Sequence, residues 1–331
     1  MYACVVGIAA GVFYYMERID CMPASSVKED LWTLERKESK IPIHVHLWLP
    51  EGPVKAVVQI VHGMAEYIDR YADTARDLCA RGFAVAGHNH RGHGKECPTN
   101  QLGYFADENG WDLLIEDIRA VAQSLKSRFP GLPRILLGHS MGSFAVREYV
   151  LRYPDDMDAV VLSGTGTYPA PVCRAGHLLA SAIPKKKIAK VVDAIAFSAN
   201  NKPFAPNRTP FDWLSRDEKQ VDKYVADPLC GFVFTAGAYR DFFGGLLALC
   251  KTERLASLPK SLPVLFISGA NDPVGKDQGV RRCAEQWQAA GVKDVTVRLY
   301  ENARHELFNE TNRDEVIADL AQWIDQQIAR R

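Results

Sequence analysis

The sequence predicts an α/β fold: a mostly parallel sheet with helices on both faces and an inserted helical cap. Three observations carry that expectation. Short β-branched runs recur along the chain, mostly followed by Gly or His, with helical stretches between most of them; such alternation buries a parallel sheet under helices. One interval, residues 167–257, breaks the alternation and turns rich in Pro, Phe and Trp, which reads as a cap inserted into the core. Finally, 331 residues at 47% hydrophobic content can bury a full core, and a formal net charge of zero gives nucleic acid no electrostatic footing as a partner.

In chain order, residues 1–30 form an apolar N-terminal segment that carries no charge from Tyr2 to Met16. That run is shorter than the roughly 20 residues needed to span a bilayer, and it lacks the basic start and cleavage site of a signal peptide. Three readings fit it: a helix packed on the domain, an interfacial membrane contact, or a targeting segment. The core is expected over residues 31–166 and 258–331. It opens with alternating runs, Leu31–Arg36 and Ile43–Leu49, on either side of a polar turn, the pattern of a half-buried antiparallel hairpin. Six buried strands follow at Ala56–Val61, Phe83–Ala86, Ile135–Leu137, Ala159–Leu162, Val264–Ile267 and Val295–Leu299. Helices are expected at Tyr71–Ala80, Trp111–Phe129 and Gln278–Ala289. The eight cysteines are scattered without a C-x-x-C pair, which fits a reduced, cytoplasmic chain.

In such a sheet, function gathers at the carboxyl ends of the strands. The strand at Ile135–Leu137 runs into Gly138-His139-Ser140-Met141-Gly142 and then the helical run Phe144–Leu151. A serine on that turn projects its hydroxyl from the sheet, two glycines leave room for the bend, and the helix N-terminus brings N–H groups beside the serine oxygen. A serine hydroxyl needs a base to take its proton, and the base needs a third group to fix its tautomer. The later strand ends offer both: Asp272 just past Val264–Ile267, and His305 past Val295–Leu299. Asp277 is the fallback acid, although it sits where it would cap the next helix. The catalytic candidates are Ser140, Asp272 and His305, in the Ser, Asp, His order of the α/β-hydrolase arrangement. For the developing oxyanion, Met141 supplies one backbone N–H and Met64, in the loop after Ala56–Val61, the other; Gly63 allows close approach of substrate. The segment His88–Gly94 holds three histidines, but without Cys or carboxylates at ligand spacing it reads as a bent loop supporting the site rim. No metal and no cofactor is expected.

His62-Gly63-x-x-Glu66-x-x-x-Arg70-Tyr71, His90-Arg91-Gly92-His93-Gly94, Gly138-His139-Ser140-Met141-Gly142, Asn271-Asp272-Pro273 and His305-Glu306 together resemble the monoglyceride lipase and lysophospholipase branch of the α/β-hydrolases, also grouped as serine aminopeptidase-like. The resemblance implies that Ser140, Asp272 and His305 form the triad, that Met64 and Met141 form the oxyanion hole, and that residues 167–257 are a lid over an acyl-binding tunnel. Asp227-Pro228-Leu229-Cys230 is similar to an element of the family's lid. Two positions depart from the pattern: Asn89 stands where an Asp is usual, and Glu96 where a Ser or Thr is usual.

The lid's many apolar residues fit a lipid-like acyl chain, with Phe204 and Phe234 as candidate substrate-binding residues beside Gly63. Lys185, Lys186, Lys187 and Lys190 could meet anionic head groups, so membrane contact is expected through residues 2–16 or the lid. The expected function is a cofactor-free serine carboxylester hydrolase cleaving single-chain acyl esters. The alternatives are a serine aminopeptidase on short peptides, whose α-ammonium would need one of Asp193, Asp212, Asp217, Glu218, Asp222 or Asp227, a thioesterase, and a non-catalytic ligand-binding hydrolase fold. Epoxide hydrolases and dehalogenases use Asp where this chain has Ser140.

Overall fold

The computed structural model describes residues 27–36 and 39–330. The three readings of residues 2–16 lie outside them. The chain opens with the expected antiparallel hairpin, β1 (Lys28–Arg36) and β2 (Ser39–Leu49), which pairs Trp32 with Val45 and Leu34 with Ile43. The core strands then follow: β3 (Ala56–Val61), β4 (Phe83–His88), β5 (Arg134–His139), β6 (Ala159–Ser163), β7 (Val264–Gly269) and β8 (Val295–Tyr300). All eight lie in one sheet, ordered β1-β2-β4-β3-β5-β6-β7-β8. The pairs from β4 onward are parallel, and only β1/β2 and β2/β4 run antiparallel. β4 and β5 each end two residues past the sequence expectation because Gly and His continue the ladder before the chain turns.

The period-two alternation of the strands sends successive side chains to opposite faces. Leu136 joins a cluster with Ile118 and Phe144, whereas Ile135 and Leu137 join one with Leu78 and Ile317. The first face is covered by α2 (Gly110–Arg128), α3 (Met141–Arg152) and α8 (Lys276–Ala289); the second by α1 (Ala72–Cys79) and α9 (Arg313–Ala329). Between β6 and β7 the chain leaves the sheet for four helices, α4 (Ala170–Ser181), α5 (Lys190–Phe197), α6 (Glu218–Ala226) and α7 (Ala236–Leu249). These pack on the α3 side: Phe242 of α7 meets Phe144 and Trp111. Among the described residues, no helix is long and apolar enough to cross a membrane.

The topology puts the ends of β3, β5, β6, β7 and β8 side by side. Sequence order reverses on either side of β3, which opens a crevice at the carboxyl edge of the sheet.

Candidate active site

Ser140 sits between β5 and α3 with φ +51° and ψ −121°, a backbone conformation that an L-residue adopts only under strain. What holds it there is packing of the turn against β3. A Cβ on Gly142 would lie 2.0 Å from the Val61 carbonyl, and one on Gly138 would lie 2.5 Å from the Gly142 carbonyl. The Ser140 N–H donates to the Ser163 carbonyl at the end of β6 (2.9 Å), and the Ser143 hydroxyl donates to the Ser140 carbonyl (2.6 Å). The strain is therefore paid by neighbouring strands.

His305, on the loop after β8, is buried, and its Nδ1 lies 2.9 Å from both carboxylate oxygens of Asp272, on the loop after β7. Asp272 also accepts from the Ser268 hydroxyl (3.1 Å) and the Val274 N–H (2.8 Å). Burial is the largest influence on each group and opposes its charged form. For Asp272 the charge and hydrogen bond of His305 outweigh it and hold the carboxyl below its ordinary range. For His305 the Asp272 charge and hydrogen bond, with Glu306 and Glu66 behind them, keep its pKa above the ordinary value. The Trp213 ring lies 5.0 Å from the imidazole, and the His305 and Glu306 N–H groups donate to the Trp213 and Leu214 carbonyls, so the insertion helps to hold this loop. Asp277, the fallback acid, is a surface residue paired with Arg281 in the first turn of α8. That helix begins at Lys276, so Asp277 does not cap it.

The loop after β3 is held by histidines and a carboxylate. His62 Nδ1 lies 2.8 Å from the Gly63 carbonyl, which can only accept, so the proton sits on Nδ1; Nε2 then accepts the His90 N–H (3.0 Å). By the same reasoning His93 donates from Nδ1 to the Arg91 carbonyl (2.9 Å) and accepts the Ala65 N–H at Nε2 (3.2 Å). Both rings must be neutral, and burial followed by the neighbouring His90 ring pushes His93 down to about 3. The histidine-rich segment thus brackets backbone on the site rim. Glu66 accepts the Gly63 N–H (2.5 Å) and the Tyr71 hydroxyl (2.9 Å) through one oxygen and Arg70 through the other (2.6 Å). Arg70 in turn donates twice to Glu306 (2.8 and 2.7 Å). Burial holds Glu66 above its ordinary range despite Arg70, whereas Glu306, with two Arg70 bonds, is held below it against burial.

These loops open onto a cavity of about 610 Å³ between the carboxyl edge of the sheet and the insertion. Ser140, His305, Gly63, Met64 and Met141 all line it. Phe204 and Phe234, expected at the substrate, do not. Phe204 lies under the Arg304 guanidinium at 4.3 Å. Phe234 is fully buried among Phe105, Phe232 and Tyr239. The apolar wall comes instead from Leu179, Phe197, Phe211, Phe232 and Phe243. Of the six acids considered for an ammonium, Asp193 alone lines the cavity, and it accepts the Tyr239 hydroxyl (2.5 Å). Sequence reading missed Glu66, Arg70 and Glu306 as a unit. Their signal was available: three charges in motif positions next to Gly63 and His305.

A reversed strand order with a strained serine on the turn after the central strand is the scaffold on which α/β-hydrolase enzymes run serine chemistry, and the chain is a serine hydrolase of that class. Residues 52–312 match the family described as serine aminopeptidase, S33, and the chain belongs to it. It is 31% identical over 284 residues to the monoacylglycerol lipase of Mycolicibacterium smegmatis, covering 84% of this chain and 91% of that protein. It is 29% identical to the monoglyceride lipase of Homo sapiens, covering 85% and 86%. Among solved structures it is similar to a highly thermostable carboxyl esterase from Bacillus coagulans in complex with glycerol, with a TM-score of 0.82, 25% identity, and coverage of 91% of this chain and 99% of that one.

Proposed function

We propose that this chain hydrolyses carboxylic esters of a single acyl chain, monoacylglycerols or lysophospholipids, through an acyl-enzyme intermediate. One observation carries the reading: a mainly apolar cavity that ends on Ser140 and His305. With Nδ1 committed to Asp272, His305 has Nε2 left to take the Ser140 proton as the oxygen attacks the ester carbonyl. The Gly63 and Ala65 N–H groups are taken by Glu66 and His93, which leaves the Met64 N–H as the loop's donor to the oxyanion. Met141, first residue of α3, has an N–H without an intrahelical acceptor and is the second donor. His305 returns the proton to the leaving alcohol, and water, activated the same way, releases the fatty acid. The segment 167–257 acts as the lid that shelters the acyl chain, and the relatives' names, lipase and esterase, support this substrate class.

The test is a hydrolysis panel over monoacylglycerols, lysophospholipids and short p-nitrophenyl esters, with Ser140→Ala alongside. The expected result is turnover by the native chain and a loss of at least about a thousandfold in Ser140→Ala, in line with removal of a nucleophile. Turnover surviving in Ser140→Ala would end the mechanism.

Asp193 favours a second reading. A carboxylate on the insertion's side of the cavity could take the α-ammonium of a short peptide, as an aminopeptidase requires. Amino-acid anilides in the same panel decide it: cleavage faster than that of the acyl esters would favour the peptidase. The proposal extends to surface and compartment. Exposed apolar residues on α4 and α5 support peripheral membrane contact, and the six described cysteines, all free thiols, fit a cytoplasmic chain.

A further inference from the structure

Two loops must be in register for the proposed reaction: the one presenting the Met64 N–H and the one presenting His305. They come from opposite sides of β5, after β3 and after β8, with no backbone ladder between them. Arg70 joins them. Its guanidinium donates to Glu66, whose other oxygen accepts the N–H of Gly63, the residue before Met64. The same guanidinium makes a bidentate pair with Glu306, the residue after His305. All three side chains are almost fully buried, and the Arg70 guanidinium lies 4.8 Å from the Tyr224 ring of the insertion. A planar fork fixes angles as well as distances, which an ammonium cannot do.

We propose that Arg70 is a positioning residue that locks the oxyanion loop to the histidine loop, so that donor and base hold one geometry through both half-reactions. The proposal rests on the assignment of Ser140, His305 and Met64 above. It has an electrostatic counterpart. Two carboxylates and one guanidinium leave the cluster with one net negative charge beside His305. The other groups facing the imidazole are the Asp272 carboxylate, the His139 ring at 4.7 Å, held neutral by burial and by His305 itself, and the Trp213 ring. Glu66 also carries the Tyr71 hydroxyl, which burial keeps protonated. Geometry and charge can therefore be separated by substitution.

The experiment compares Arg70→Lys with Glu306→Gln, taking kcat per active serine titrated with a fluorophosphonate and a pH profile of kcat/KM. Arg70→Lys keeps the charge and loses the fork. It is expected to lower kcat per titrated serine about ten- to a hundredfold, the scale of a misplaced reacting group, with KM little changed and the acid limb of the profile unmoved. Glu306→Gln removes one negative charge near His305, so protonated His305 is less favoured and the acid limb moves to lower pH. A merely structural ion cluster would reduce the titratable fraction and leave kcat per active serine and the limb where they were; that result overturns the proposal. If Arg70→Lys does not fold, Glu66→Gln serves: it weakens the link from Arg70 to the Gly63 N–H, so kcat per titrated serine is expected to fall along with the downward shift of the limb, and an unchanged kcat refutes the proposal. A native chain that the fluorophosphonate does not label would instead break the assignment of Ser140, a separate failure.

Discussion

At the scale of single residues, Gly63 is the glycine that couples the oxyanion loop to both Glu66 and Ser140. A Cβ there would lie 2.7 Å from Glu66 Oε1 and 3.2 Å from the Ser140 Cβ. Gly63→Ala must therefore push the Glu66 carboxylate off the Gly63 N–H or tilt the loop away from Ser140. Either motion shifts the Met64 N–H from the position proposed for it at the oxyanion. Loss of one oxyanion donor costs on the order of a hundred- to a thousandfold in kcat, and a partial displacement should cost about tenfold. Steady-state kinetics on a short ester, with the melting temperature as a control for folding, would check it; kcat unchanged within twofold would show that the loop has slack. Gly63, Asp272 and His305 were legible in the sequence because each follows a strand end, where backbone geometry and topology restrict what a residue can face. Phe204 and Phe234 were not. Aromatic composition marks a residue as worth burying but does not say whether it will line a cavity, as Phe243 does, or fill the core, as Phe234 does. That choice is made by neighbours distant in sequence.

At the scale of elements, β2 is fastened to the loops around β4 by a network that the sequence shows only as two departures from a family pattern. Asn89 donates to Glu96 (2.7 Å) and accepts the Ile68 N–H (2.8 Å). Each departure thus compensates the other, since a second carboxylate at position 89 would repel Glu96. His46 of β2 completes the network, 2.9 Å from Asp69 and 3.9 Å from Glu96. Burial opposes its charge, but the two carboxylates outweigh burial and raise its pKa to about 9, while Glu96 falls to about 2. A raised histidine pKa stabilises the folded state fully below the unfolded value near 6.5 and loses that contribution as pH rises through 9. The lowered carboxyl contributes above about 4.5 and fades as pH falls towards 2. The network is therefore complete between about 4.5 and 6.5. His46→Gln should lower the melting temperature most in that window, by an amount equivalent to at most about 3 kcal/mol and less because Asp69 is partly exposed and screened. Melting curves of both proteins from pH 4.5 to 9 should show the gap closing toward pH 9; a gap that is constant with pH would mean that folding leaves the His46 pKa unshifted. The six core strands were read to within two residues, because period and β-branching report local burial, whereas β1 and β2 begin three and four residues before the expected runs. Pairings such as Asn89 with Glu96 depend on loops meeting in space, and no periodicity encodes them.

At the scale of the whole molecule, the distribution of exposed apolar side chains says how the chain would meet its substrate. Leu31, Ile41, Val172, Leu178, Ile188, Val191, Ile195 and Val225 are the large hydrophobic residues left in water among those described, and five of them fall between Val172 and Ile195, in α4, α5 and their connection. Scattered exposed residues need no explanation, but a cluster on one surface does. Val172 and Ile195 also line the cavity, so part of this apolar surface is continuous with the cavity wall. Lys185 and Lys186 are engaged by Asp107, whereas Lys187 and Lys190 are exposed on the same stretch of chain. A water-insoluble ester resides in a lipid surface, and an apolar rim set against that surface would let the chain pass into the cavity without crossing water. Leu178 and Val191 are exposed and do not line the cavity, which makes them the positions that separate docking from binding. The double variant Leu178→Glu, Val191→Glu should cosediment less with vesicles containing anionic lipid and turn over vesicle-borne monoacylglycerol several-fold more slowly, with turnover of a soluble short ester unchanged. Equal losses on both substrates would place these residues in folding or chemistry, and no loss on either would mean that the patch serves something other than a membrane.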